Sequence, residues 1–148
     1  MTAADSVRLR SVLELLGLEG PEPAAEPVAN SEIDLAWLLR VAERIAGDPA
    51  VADFGSLVAA VSRIKAEIFG LPVYPSPYDR AAALLVQLIH NPALDRSNAL
   101  FATSVAYAYL ARSGKKINSS PEQARDLALL AKESGNTHAV SSVLRSFS

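Results

Sequence analysis

Four residues able to do chemistry crowd into one polar turn, His90, Asp95, Arg96 and Asn98, within LIHNPALDRSN between two apolar segments. His90 is the nearby group whose ordinary pKa lies close to neutral, which suits a general base. Asp95 has the chemistry to bind Mg²⁺ or to cap a helix. Ser97 stands where a helix opens, and free amides there suit a phosphate or another anion. Asn98, in the first helical turn, is placed to orient a loop or a ligand. The usual companions of such a site are missing. No glycine-rich loop is present, and Ala99 and Leu100 stand where cations would face a phosphate. On spacing alone the plainer reading is favoured: Asp95 as cap, Arg96 as surface charge, Asn98 as turn residue and His90 as helix end.

The elements that must position this turn read as helices. Residues 5–18 repeat apolar side chains at Leu9, Val12, Leu13 and Leu16, one face of a helix. A Pro/Glu-rich stretch without periodicity follows, so residues 1–29 are expected to be an amphipathic helix and a linker, and residues 30–148 the domain. Ser31 is expected to cap a helix reaching Gly47, with Ile33, Trp37, Val41 and Ile45 one turn apart. A third helix is expected over Ser56–Phe69, burying Leu57, Val58, Val61, Ile64 and Ile68. Gly70–Ser76 holds the only credible β content. Ser76, Pro77 and Asp79 carry a strong helix-start signature, repeated at Ser120, Pro121 and Gln123. The apolar runs after Asp79 and after Asn98 leave few solvent positions, so those two helices are expected at the centre. Thr137 to Phe147 is expected to form a last short helix. The fold class is therefore all-α, a compact bundle.

Composition removes several function classes. Half of the residues are hydrophobic, yet charges interrupt every run before the ~18 apolar residues of a membrane span. A net charge of −2 argues against general nucleic-acid binding, which needs surplus Lys and Arg. The absence of cysteine excludes disulfides and thiolate metal sites, and two histidines leave little for zinc. With no export signal in MTAADSVRLRS, a cytoplasmic protein is expected.

Several short motifs, in order, resemble the Fic/Doc family and its death-on-curing branch. Asp53, Gly55, Leu57, Ala60 and Arg63 resemble the family's Asp-x-Gly-x-Leu stretch with its Ala and Arg. Phe69-Gly70, Val73-Tyr74-Pro75, Asp79-Arg80-Ala81-Ala82 and Leu84-Leu85 resemble the run that follows. Tyr109-Leu110 with Gly114, and Ala131 with Gly135, resemble the two later helix ends. The resemblance covers roughly residues 31–148. It implies a helical domain with a central motif helix and a short β-hairpin flap over Pro72–Ser76, where Val73 and Tyr74 would hold a target segment by strand addition. It also implies transfer of phosphate or AMP from ATP to a protein hydroxyl, through the motif His-Pro-Phe-x-Asp-Gly-Asn-Lys-Arg.

Aligned without gaps, that motif is degenerate here. Pro92 takes the base position, Arg96 that of the metal acid and Ser97 that of the glycine, while Ala99 and Leu100 replace the basic pair. Asn98 is retained. Losing a general base costs about 10²–10⁴ in rate, and losing two cations weakens a phosphate site. The alternative is a loop longer by two residues, with His90 as base and Asp95 as metal acid; it leaves Ala99 and Leu100 unrepaired. The expectation is a non-catalytic protein-binding module in a toxin–antitoxin or phage-related setting, with Arg96, Ser97 and Asn98 left as an anion-binding remnant. No cofactor is expected, or ATP and Mg²⁺ if the alternative holds. The expected partner is a protein, an antitoxin-like segment in the groove, with no nucleic acid or membrane; a homodimer is compatible with the apolar composition.

Overall fold

The computed structural model describes residues 33–148. The expected helix and linker of residues 1–29, and the Ser31 cap, lie outside the described residues. Six helices and one hairpin follow in order: α1 (Leu35–Glu43), α2 (Phe54–Ile64), β1 (Glu67–Ile68), β2 (Leu71–Pro72), α3 (Pro77–His90), α4 (Asn98–Arg112), α5 (Pro121–Ser134) and α6 (Thr137–Ser146).

Short polar side chains start most of these helices, because they satisfy amides that have no partner inside the helix. Asp34 accepts from the Trp37 amide at 2.9 Å, Asp53 from Ser56, Ser76 from Asp79 and Asn136 from Ala139. Ser120 and Gln123 close a full capping box around Pro121, as the sequence predicts. At the other end of α4, Gly114 adopts φ +77°, and the Lys115 amide donates to Leu110 O at 2.8 Å. With the Gly114 amide bonded to Ala111 O, this is a Schellman stop.

α3 holds the centre and packs against α2, α4, α5 and α6. Every residue of α4 from Leu100 to Leu110 is buried. Alanines at 81, 82, 83, 102, 106 and 108 are fully buried, which lets backbones approach closely while Leu84, Leu85, Phe101 and Tyr109 fill the remaining space. No helix among the described residues is long and apolar enough to cross a membrane.

Two expectations are corrected on the N-terminal side. α1 stops at Glu43, short of Gly47. α2 stops at Ile64, so the stripe expected to continue through Ile68 to Phe69 turns into the hairpin instead. Glu67 pairs with Pro72 and Ile68 with Leu71, leaving Phe69 (φ +53°) and Gly70 (φ +77°) at the turn. Ile68 is 60% exposed and Val58 50% exposed, not core. Helical periodicity continued across a point where the chain reverses, and a two-residue strand is too short to show its own alternation. The hairpin therefore lies earlier than the Pro72–Ser76 flap that the resemblance implied.

A polar latch joins the start of α3 to α6. Ser141 Oγ donates to Asp79 Oδ1 at 2.8 Å, and Arg145 lies 3.6 Å from the same oxygen. Burial pushes the Asp79 carboxyl up, but hydrogen bonds from Ser141 and Ser76, with the Arg145 charge, outweigh it and hold the pKa below its ordinary value. A depressed carboxylate contributes stability that is present above its unfolded pKa of about 3.9 and lost as pH falls through the folded value. Asp79→Asn should therefore lower stability at neutral pH and flatten the acid limb below pH ~4. Urea midpoints measured across that limb check it; an unchanged slope would contradict the latch.

Candidate binding groove

The motif loop, residues 91–97, is held from the side by a segment with no regular structure of its own. Val51 and Leu94 form an isolated antiparallel bridge. The Ala52 and Asp53 amides donate to Ala93 O at 2.7 and 3.0 Å, and the Asp95 amide donates to Ala50 O at 2.9 Å. Ser56 Oγ donates to Asn91 O from the first turn of α2. Residues 50–56, read from sequence only as a turn and helix start, are thus the mould for the loop. Their contribution is invisible locally because the bonding partners lie about forty residues away.

Each residue singled out in the sequence then has a definite place. Asp95 accepts from the Ala50 amide at 3.0 Å and from Arg96 Nη1 at 3.1 Å, with both side chains about half exposed. Arg96 also donates to Gly47 O, and its guanidinium packs over that glycine, which has φ +89°. Asp95 and Arg96 therefore pin the loop to the α1–α2 connection, and Asp95 caps no helix. His90 ends α3 and turns away from the others. Its Nε2 lies 2.8 Å from Ala131 O, and since a carbonyl only accepts, Nε2 carries the proton. The ring rests against Gly135, where a Cβ would come within 3.5 Å of it.

Ser97 occupies the N-cap of α4 with φ +61° and makes no side-chain cap bond. That left-handed backbone favours glycine, since a Cβ costs roughly 1–2 kcal/mol there. Asn98 closes on one residue. Its Oδ1 accepts from the Leu94 amide and its Nδ2 donates to Leu94 O, both at 2.9 Å. Both polar ends of Asn98 serve the loop itself. Leu100 is 1% exposed and belongs to the core.

A groove of about 450 Å³ opens between this loop and α5. Ile89, Pro92, Ala99 and Leu129 supply apolar walls, and Arg125 and Lys132 stand along the α5 side with Asp126 between them. Pro92 and Asn98 line it; His90, Asp95, Arg96 and Ser97 do not. The second expected surface, Val73 and Tyr74, divides in two. Val73 is 40% exposed, and its amide donates to Ala66 O at 3.0 Å, adding a bond to the base of the hairpin. Tyr74 is an anchor: its hydroxyl accepts from Arg63 Nε at 2.9 Å and its carbonyl accepts from Arg80 Nε. Arg63 reaches on to Gln87 and Thr137, so one guanidinium ties the hairpin base to α2, α3 and α6. The hairpin itself carries Ile68, Phe69 and Leu71 in the open, with Phe69 99% exposed. Sequence reasoning missed these three as a surface, having placed two of them in a helix.

The groove's ionisable lining is Arg125, Asp126 and Lys132 of α5, none of them singled out in the sequence. No cluster of three or more His, Asp or Glu suited to a metal exists among the described residues. Asn98 spends one donor and one acceptor on Leu94, and the Pro92 ring nitrogen has no proton and a lone pair delocalised into its peptide bond.

The all-α bundle, with its short antiparallel hairpin ahead of two buried helices, is consistent with a Doc-like domain. Among curated proteins, the chain is 39% identical over 71 residues to Toxin Doc of Mycolicibacterium smegmatis (strain ATCC 700084 / mc(2)155). That match covers 48% of this chain and 55% of the relative, so the chain spans about half the length of the curated relative it matches. No family model matches the sequence, and no solved structure gives a significant match. The similarity to Toxin Doc supports a Doc-like family for this chain.

Two substitutions test how the loop is built. Ser97→Gly should raise stability by about 1 kcal/mol by relieving the left-handed strain. Asn98→Ala should cost about 1–3 kcal/mol, because it strands both the amide and the carbonyl of Leu94. Urea unfolding reads both, and a stabilising Asn98→Ala would contradict the clamp.

Proposed function

We propose that this protein is a Doc-fold, non-catalytic protein-binding module of a toxin–antitoxin or phage-related system. In this reading the groove between the motif loop and α5 receives an antitoxin-like segment of a partner protein. The observation that carries the reading is the closure of Asn98 on Leu94, at the head of a groove where Pro92 and Ala99 stand in place of base and cation. The loop keeps its shape, and the parts that would act on a nucleotide are absent from their positions. Apolar walls with Arg125 and Lys132 along one side suit an amphipathic segment bearing acidic side chains. The open Ile68, Phe69 and Leu71 add a second apolar surface of the kind that protein partners cover. The matched relative is a toxin by name, which supports the setting.

The competing reading is a transferase moving phosphate or AMP from ATP with Mg²⁺, with His90 as base and Asp95 as metal acid. His90 Nε2 is engaged with Ala131 O, and Asp95 with Ala50 and Arg96, and neither lines the groove. Those contacts favour the binding reading. Calorimetric titration with ATP, with and without Mg²⁺, should give no saturable heat, and ATP labelled at the α or γ phosphorus should leave no label on any protein. Mg²⁺-dependent label transfer that disappears in His90→Ala or Asp95→Ala would overturn the proposal.

A further inference from the structure

Charge is divided unevenly along this chain. Residues 1–32 hold Asp5, Glu14, Glu19, Glu22, Glu26 and Glu32 against Arg8 and Arg10, a net of −4; the whole chain is −2, so residues 33–148 carry +2. Four of those acids fall in the fourteen residues 19–32, immediately before the domain. The domain's surplus is not evenly spread either. At the end of the bundle where α4 stops, Lys115 lies 6.0 Å and Arg145 5.1 Å from the centroid of the Tyr78 ring. Lys116 is next in the chain, and the Arg112 guanidinium stands 5.7 Å above the Trp37 ring.

This cationic end is held in place. The Schellman stop at Gly114 fixes where Lys115 leaves the helix. Tyr107 OH and Ser119 Oγ bond at 2.9 Å, with the phenol buried deeply enough to push its pKa up to about 12. The Asn118 amide donates to Phe147 O at 2.8 Å, drawing the same loop against the end of α6. Among the described residues, Asp79 lies 3.6 Å from Arg145, and no carboxylate lies within ion-pair distance of Lys115 or Lys116.

The chain enters the domain beside this patch. Ile33 is fully buried, and Trp37, one turn further on, lies under Arg112. Residues 19–32 therefore join the domain at Ile33, four positions before Trp37, whose ring lies under Arg112, itself three positions before Lys115. Fourteen residues span at most roughly 45–50 Å when extended, about twice the ~22 Å length of a fifteen-residue helix such as α4. Reach is thus ample, and continuity of the chain keeps the local concentration of the acids high.

We infer that the cationic, aromatic end of the domain formed by Lys115, Lys116, Arg145 and Tyr78 is the seat of the chain's own acidic residues 19–32. The seat is electrostatic and at the surface, so it weakens with salt. It lies at the opposite end of α4 from the groove and does not depend on the reading given to the groove.

The four lysines of the chain, Lys65, Lys115, Lys116 and Lys132, make the test direct. Amine acylation of the full-length protein, read by peptide mass spectrometry, compares the wild type with the combined variant Glu19→Gln, Glu22→Gln, Glu26→Gln, Glu32→Gln. Acylation of Lys115 and Lys116 should rise several-fold in the variant, while Lys65 and Lys132 stay unchanged. Raising the salt to about 1 M, where the Debye length falls to ~3 Å, should expose the same two lysines in the wild type without any substitution. Equal rates at Lys115 and Lys116 in all three samples would overturn the inference. Protection that grows with protein concentration would overturn it too, by placing a second copy's acidic segment on the patch.

Discussion

Burial of α4 along its whole length is the constraint from which the rest of the structure follows. A helix with no solvent face from Leu100 to Leu110 must be surrounded, and a chain of this size surrounds it with its neighbours in sequence. α3 takes the largest share because its alanines let the two backbones approach, and the other helices then close over the pair. The polar loop joining α3 to α4 is forced to the rim of this core. There its backbone needs partners that the two helices do not supply.

Those partners come from residues 50–56 and from the loop itself. The Val51–Leu94 bridge, the amides of Ala52 and Asp53, Ser56, and the Asp95–Arg96 reach to Ala50 and Gly47 form one sleeve of hydrogen bonds around the loop. Asn98 completes it from inside. Asp95, Arg96 and Asn98, singled out in the sequence as able to do chemistry, are spent on holding the loop, while His90 bonds α5. The groove's ionisable lining comes instead from α5, as Arg125, Asp126 and Lys132, against apolar walls.

The helix starts at Ser76 and Ser120, the stop at Gly114, the buried character of α3 and α4 and the all-α class were legible in the sequence, because each depends on contacts within a few residues. The motif loop could be located for the same reason: proline at 92 ends one helix and the apolar run after Asn98 demands another. The hairpin was mislaid by a few residues. Ile68 continues the period of α2, and only the reversal at Phe69–Gly70 shows that the helix has already ended at Ile64.

Sequence by itself determined which residues are buried in the central helices and where the polar loop interrupts them, since apolar periodicity and capping chemistry are local properties of the chain. Tertiary structure alone decided what the loop's residues do. His90 and Asp95 are five positions apart and read as partners, yet one bonds α5 and the other the α1–α2 connection. Arg125 and Lys132, about thirty residues downstream, stand at the groove instead. The physical reason is that hydrogen bonds and charges act over a few ångströms in space, and a folded bundle brings those distances together without regard to distance along the chain.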